Sequence, residues 1–355
     1  GVTTISAGTL SVSSLANGGS NSNIGASTNA AANLVLDGGT LKYTGAAVST
    51  DRLFTMTNNG GTIDASGSGA LTFTNAGSIA YTGTNARTLT LTGSGSATLS
   101  QVLANNTGAT SLTKTGTGTW TLSGLNAYTG ATTISAGTIK LGASSSGANS
   151  PVGTVASGVT VAADAALDLA GYSITTLEPI TLSGTGVSNS GALYNSSATA
   201  VTYAGPITLA ADTTIKSTGA LTLNGAITGA YALTVTNTGA LTLGSTVGTS
   251  TTRLASLAVS GAANLYGNVW TSGAQTYSGN LAVGSDLSLN STSGGVTIGG
   301  TLTGIVGSNT LLYEVTQATR SGNSIVYSIN NSGSFSGTIA RITYRMQSGG
   351  YWAEV

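Results

Sequence analysis

Asp164 and Asp168, in the run DAALDL, are the one pair of carboxylates close enough along the chain to suggest general acid and base work on a glycosidic bond. The acids Asp37, Asp51, Asp64, Glu178, Asp212 and Asp286 are scattered, so they predict turn positions rather than a catalytic cluster, and Asp51 beside Arg52 predicts a solvated turn. The absence of His and Cys removes imidazole and thiolate chemistry, zinc sites of the Cys/His type, disulfides and His-dependent triads. A calcium array of the G-G-x-G-x-D kind is missing too, because the DGG at 37–39 stands alone. No catalytic residue, metal ligand or cofactor is therefore expected. Recognition is better served: Arg341, Arg345, Tyr351 and Trp352 combine guanidinium planes with aromatic rings, which suit sugar rings and their anionic groups or a contact with another subunit.

The elements that would hold such residues are short and alternating. LVL at 34–36, LTFT at 71–74, LTLTG at 89–93, TWTLSG at 119–124, LTLNG at 221–225, LTVTN at 233–237 and LTLG at 241–244 each send apolar residues one way and Thr the other, the period of a half-buried strand. Gly, Asn, Asp and Ser between them supply turns. In this alternation Trp120 is an interior plug, whereas Tyr266 and Trp270 fit either core or surface.

Similar units recur. TTISAGTL at 3–10 returns as TTISAGTI at 132–139, and ADTTIKSTGALTLNGAITG at 211–229 aligns with SDLSLNSTSGGVTIGGTLTG at 285–304, an offset that suggests three coils of about 20–25 residues each. Such nesting predicts stacked units, a right-handed parallel β-helix, with an antiparallel sandwich as the structural rival. Composition agrees. Of 355 residues, 62 are Thr, 53 Gly and 47 Ser, and only 6% are charged. Equivalent positions in successive coils stack about 4.8 Å apart, so like charges there would repel, whereas Thr and Asn would not.

Ten basic and ten acidic residues leave zero net charge, which argues against nucleic acid and anionic membranes. No apolar run approaches the ~18 residues of a membrane span. A Thr/Ser/Gly/Asn-rich chain without thiols suits a secreted bacterial surface protein. Gly1 starts within a repeat, which reads as a processed product or fragment.

The stretch LTKTGTGTWTLSGLNAYTGATTISAGTIKLG at 112–142 resembles the passenger-associated strand repeat of bacterial autotransporters, through Gly118, Trp120, Leu122, Gly124, Asn126, Tyr128, Thr129, Gly130, Thr133, Ile134, Gly137, Thr138 and Ile139. Residues 1–12 resemble the second half of another copy, and residues 205–304 are similar to repeats of filamentous-haemagglutinin-like surface proteins. The resemblance implies an exported β-helix acting as adhesin, stalk or matrix component, without a catalytic site.

After residue 304 the composition shifts, with 5 of the 20 charges and 4 of the 13 Tyr in the final 51 residues. The expectation is thus an all-β chain: a β-helix over 1–304 and a small antiparallel C-terminal module or cap over 305–355. Functionally it is expected to be an extracellular adhesin, biofilm-matrix protein or filament subunit that associates end to end and contacts surface glycans, with no nucleic acid partner and no membrane span. The rivals are a polysaccharide-cleaving β-helix of the pectin-lyase kind and a Thr ladder that binds ice or a crystal surface. A flat, one-faced Thr array in register would favour the latter, whereas Thr scattered over all faces would dismiss it.

Overall fold

The computed structural model describes residues 1–156, 158–284 and 287–304, with the strand backbones 312–315, 319–321 and 324–326. The chain forms two compact units, one of residues 1–181 with 186–188, the other of residues 182–185 and 189 onward.

Three parallel ladders build the first unit. One runs through Thr3–Ile5, Leu34–Leu36, Thr55–Met56 and Ala80–Tyr81. A second runs through Thr9–Val12, Thr40–Tyr43, Gly61–Ala65, Arg87–Thr92, Thr110–Lys114, Thr132–Ile134 and Val159–Val161. The third takes Val48–Thr50, Leu71–Phe73, Ser96–Leu99, Thr119–Leu122, Gly137–Leu141 and Ala165–Asp168. This is the expected β-solenoid. Coil length is less uniform than expected: the coil that brings Trp120 against Ile139 is short, whereas the one that brings Thr3 against Leu34 is much longer. The long coil carries the excursion 13–33, where Asn23 Oδ1 accepts the amides of Ser13 and Ser14.

The second unit is more regular. One of its ladders joins Val201–Tyr203, Leu221–Leu223, Leu241–Leu243, Ala263–Leu265, Leu281–Val283 and Leu302–Gly304, at nearly even intervals along the chain. Beside it, Ile215, Val235, Val259, Tyr277 and Ile298 stack in register. On the remaining side Ile207 pairs with Ile227, and Val269–Thr271 with Ser288–Ser291. The strand Leu312–Val315 pairs parallel with Ser288–Ser291, and Thr319–Ser321 pairs antiparallel with Ser324–Val326.

Alternation places the core. Leu221, Leu241, Ala263, Leu281 and Leu302 form one buried column, with Thr222 and Thr242 facing outward between coils. Burying each Leu contributes roughly 1.5–3 kcal/mol, so the column adds substantially to cohesion between coils.

The sequence repeats are real but do not mark whole coils. Ile215 stacks on Val235, whereas its repeat counterpart Leu289 stacks on Val269 in another ladder. Likewise Thr3–Ile5 lies in the first ladder and its near-identical copy Thr132–Ile134 in the second. The repeated unit is a strand–turn–strand corner, and any corner of a three-sided coil accepts it. The reading of the offset between 211–229 and 285–304 as three whole coils is corrected accordingly.

Candidate binding surface

The four contact residues expected from sequence, Arg341, Arg345, Tyr351 and Trp352, lie outside the described residues, as does Asp286. Asp51, Asp168 and Asp212 accept backbone amides, and Asp37 and Asp64 meet side chains. Asp168 is buried and accepts the Ala170 amide at 2.8 Å, while Asp164 is exposed, so the one close pair faces two environments. Asp51 accepts the Gly18 amide and the Asn29 side chain, and Asp212 accepts the Ala232 amide. Asp37 accepts hydrogen bonds from Thr57 and Asn59, which hold its carboxyl below the ordinary range. Among the described residues no three of Asp, Glu, His and Cys converge on a metal-sized site.

Several charges are buried, which the sequence reading missed. Arg52 is not part of a solvated turn: it is 1% exposed, because its guanidinium fills the long coil, Nε donating to the Ala16 carbonyl at 3.0 Å, Nη1 to Ser27 at 2.9 Å and Nη2 to Gly25 at 2.9 Å. Arg87 is buried in the same manner, donating to the Thr82, Gly83 and Asn85 carbonyls at 3.0, 3.0 and 2.9 Å with Tyr81 against its plane. Lys114 occupies an inward position between Leu91 and Ile134, its Nζ held by the carbonyls of Thr115, Gly116 and Ala136, and burial lowers its pKa to about 8. In each case carbonyl oxygens of a turn replace a carboxylate partner. Glu178 is also buried, and desolvation raises its carboxyl to about 8. A signal existed for the cations: Arg52 shares its phase with Phe54, Arg87 with Leu89, and Lys114 with Leu112.

Outward side chains form hydroxyl stacks. Thr9, Thr40, Thr62, Thr90, Thr113, Thr133 and Thr160 pair in unbroken register along one ladder. Another face of the same unit carries Ser49, Thr72, Thr98, Thr121 and Lys140. In the second unit Thr202, Thr222, Thr242 and Asn264 stack on one ladder and Thr214 and Thr234 on another. Thr therefore lies on several faces. The long Thr column is also bordered by an ion pair, Lys42 to Asp64 at 3.6 Å, which interrupts any flat hydroxyl array.

Residues 110–154 are bound together by three buried polar side chains. Trp120 is the expected interior plug, fitting over the small Ala97 of the preceding coil and donating Nε1–H to the Thr92 carbonyl at 2.9 Å. Asn126 accepts the Leu103 amide on Oδ1 at 2.8 Å and donates Nδ2–H to the Pro151 carbonyl at 2.6 Å, so one side chain ties three successive coils. The buried Tyr128 hydroxyl shares a 2.6 Å hydrogen bond with Thr132. The segment matches the family model described as passenger-associated-transport-repeat over residues 112–141. Residues 112–141 are thus similar to a passenger repeat. Over 76 residues, 21% of this chain, the sequence is 53% identical to a protein named Adhesin BmaC autotransporter, from Brucella suis biovar 1 (strain 1330). The chain spans 2% of that relative's length. No solved structure matches the chain. A passenger repeat places the chain at the cell surface or outside the cell. Within the repeat Trp120, Asn126 and Tyr128 are buried, so its distinctive residues serve cohesion between coils.

Proposed function

We propose that the chain is a stretch of an extracellular adhesive passenger, a β-solenoid that displays outward side chains along stacked coils and catalyses no reaction. The observation that carries this reading is the match of residues 112–141 to the passenger-associated-transport-repeat model, beside 53% identity over 76 residues to a protein named as an adhesin. The dispersal of the described carboxylates into turn and backbone contacts supports binding over hydrolysis. Incubation with acidic and neutral polysaccharides is expected to leave their chain lengths unchanged. Catalytic shortening of any of them would overturn the non-enzymatic assignment.

Segment 305–355 is proposed as a separate terminal module, with Arg341, Arg345, Tyr351 and Trp352 as its glycan or subunit contacts. Enrichment in charge and Tyr supports it. End-to-end association, in a filament or biofilm matrix, is the second part of the proposal. Zero net charge, which leaves little electrostatic repulsion between copies, supports it. Deletion of residues 339–355 is expected to abolish filament formation, and filaments formed by the truncated chain would exclude strand donation by that segment.

A further inference from the structure

We propose that Arg253 and Trp270 form a recognition site for a carboxylate-bearing sugar residue, of the uronic or sialic acid class, on the outer side of the second unit. The site is built by an insertion. Thr213 pairs with Leu233, and Leu233 in turn pairs with Leu257 across a longer interval, whose additional residues form the loop 249–253. The loop is closed by the Thr249 amide on the Thr252 carbonyl and the Thr252 amide on Thr249 Oγ1, both at 2.8 Å. The chain then rejoins the ladder with the Leu254 amide on the Trp270 carbonyl at 3.1 Å. Arg253 is thereby laid across the next coil, its guanidinium carbon 5.0 Å from the centre of the Trp270 ring. Trp270 faces outward, between the inward Val269 and Thr271.

The hydrogen bonding of the guanidinium singles it out. Nη1 donates to Asn290 Oδ1 at 2.6 Å, with longer contacts to the Thr271 and Asn290 carbonyls at 3.3 and 3.4 Å. These bonds fix the plane against the indole and leave the Nε–Nη2 edge without a protein partner among the described residues. Arg52, by contrast, commits all three nitrogens to carbonyls. A guanidinium held flat with that edge open is prearranged for a bidentate carboxylate, and Arg253 has no carboxylate partner among the described residues. The surroundings favour a sugar over an acidic peptide. Thr251 and Thr252 are exposed in the same loop and the Trp270 ring lies against the guanidinium, so hydroxyls and an aromatic ring are offered beside the charge. The register sets Glu314 opposite Asn290 in the following coil, which places an acidic residue of the chain itself at a neighbouring register position.

This inference rests on the adhesive reading and deepens it. The test is titration of the full chain with oligogalacturonate and with α2,8-linked oligosialic acid, with maltohexaose as neutral control, followed by tryptophan fluorescence and by calorimetry. Saturable binding of at least one acidic oligosaccharide is expected, with at least tenfold weaker binding after R253Q, three- to tenfold after R253K, and at least threefold after W270F. Thermal midpoints of the variants within a few degrees of the parent exclude misfolding as the cause. Absence of acidic-saccharide binding, equal binding of maltohexaose, or binding insensitive to both R253Q and W270F would overturn the proposal. If acidic saccharides fail while the chain still attaches to host cells, the adhesive reading stands and this site assignment falls. Acidic-peptide binding lost in R253Q, with no saccharide binding, would reassign the carboxylate to a protein partner and equally overturn it.

Discussion

Trp120 lies on Ala97 of the preceding coil and donates its indole hydrogen to the carbonyl of Thr92, so one side chain both fills the interior and satisfies a backbone oxygen beneath it. The small residue below makes room for the large one above, as close packing requires. W120F keeps an aromatic ring but loses the hydrogen bond and part of the volume, and is expected to cost about 2–3 kcal/mol, whereas W120A is expected to cost about 3–5 kcal/mol. Urea midpoints would check both, and equal loss in the two variants would contradict the role of the indole hydrogen.

Gly137 of the passenger repeat has φ +67°, and a Cβ there would stand 2.5 Å from the carbonyl oxygens of both Gly116 and Gly118. Gly147 has φ +60° with nothing within 4 Å. G147A therefore measures conformational strain alone, about 1 kcal/mol. G137A adds a backbone collision and is expected to cost about 3 kcal/mol or more. Thermal unfolding of the two variants side by side separates the contributions.

Glu178 and Lys114 make stability depend on pH in opposite senses. A carboxyl at about 8 in the fold, against 4.5 when unfolded, holds its proton more tightly when folded; its contribution is complete below pH 4.5, declines as pH rises, and is lost above 8. Lys114, at about 8 in the fold against 10.5 unfolded, gives up its proton more readily when folded, so stability recovers between pH 8 and 10.5. Denaturation midpoints are expected to fall between about pH 5 and 8 and to level or rise beyond. E178Q is expected to flatten the first limb and to stabilise the protein at about pH 8 by on the order of 2 kcal/mol.

Lys114 also satisfies the carbonyls of Thr115, Gly116 and Ala136. Met in its place keeps the stem but leaves those oxygens without the ammonium, so K114M is expected to cost about 2–3 kcal/mol despite removing a buried charge. A more stable K114M protein, by urea titration at about pH 7, would contradict the cage.

Much of this fold was legible from period-two alternation: it placed Leu221, Leu241 and Trp120 inside, and the passenger repeat announced itself through Trp120, Asn126 and Tyr128. The same alternation marked Arg52, Arg87 and Lys114 as inward, but a charge in an inward phase reads as a solvated turn until the carbonyls that enclose it are seen. Which corner a repeated strand–turn–strand occupies was not legible, since the short coil between Trp120 and Ile139 and the long one between Thr3 and Leu34 shift the phase between sequence repeat and ladder. Nor was the Arg253–Trp270 pair. NVWTS places apolar residues at adjacent positions, so parity does not choose a face for Trp270, and Arg253 reaches it only because an insertion carries the loop over the next coil.

The central claim, that this chain is an adhesive surface solenoid, is tested most directly by the retention of the purified 355-residue chain on host-cell monolayers and on extracellular-matrix coatings. The account predicts saturable retention that a competing excess of the same chain displaces. Retention no greater than that of an unrelated β-solenoid on every surface would contradict it.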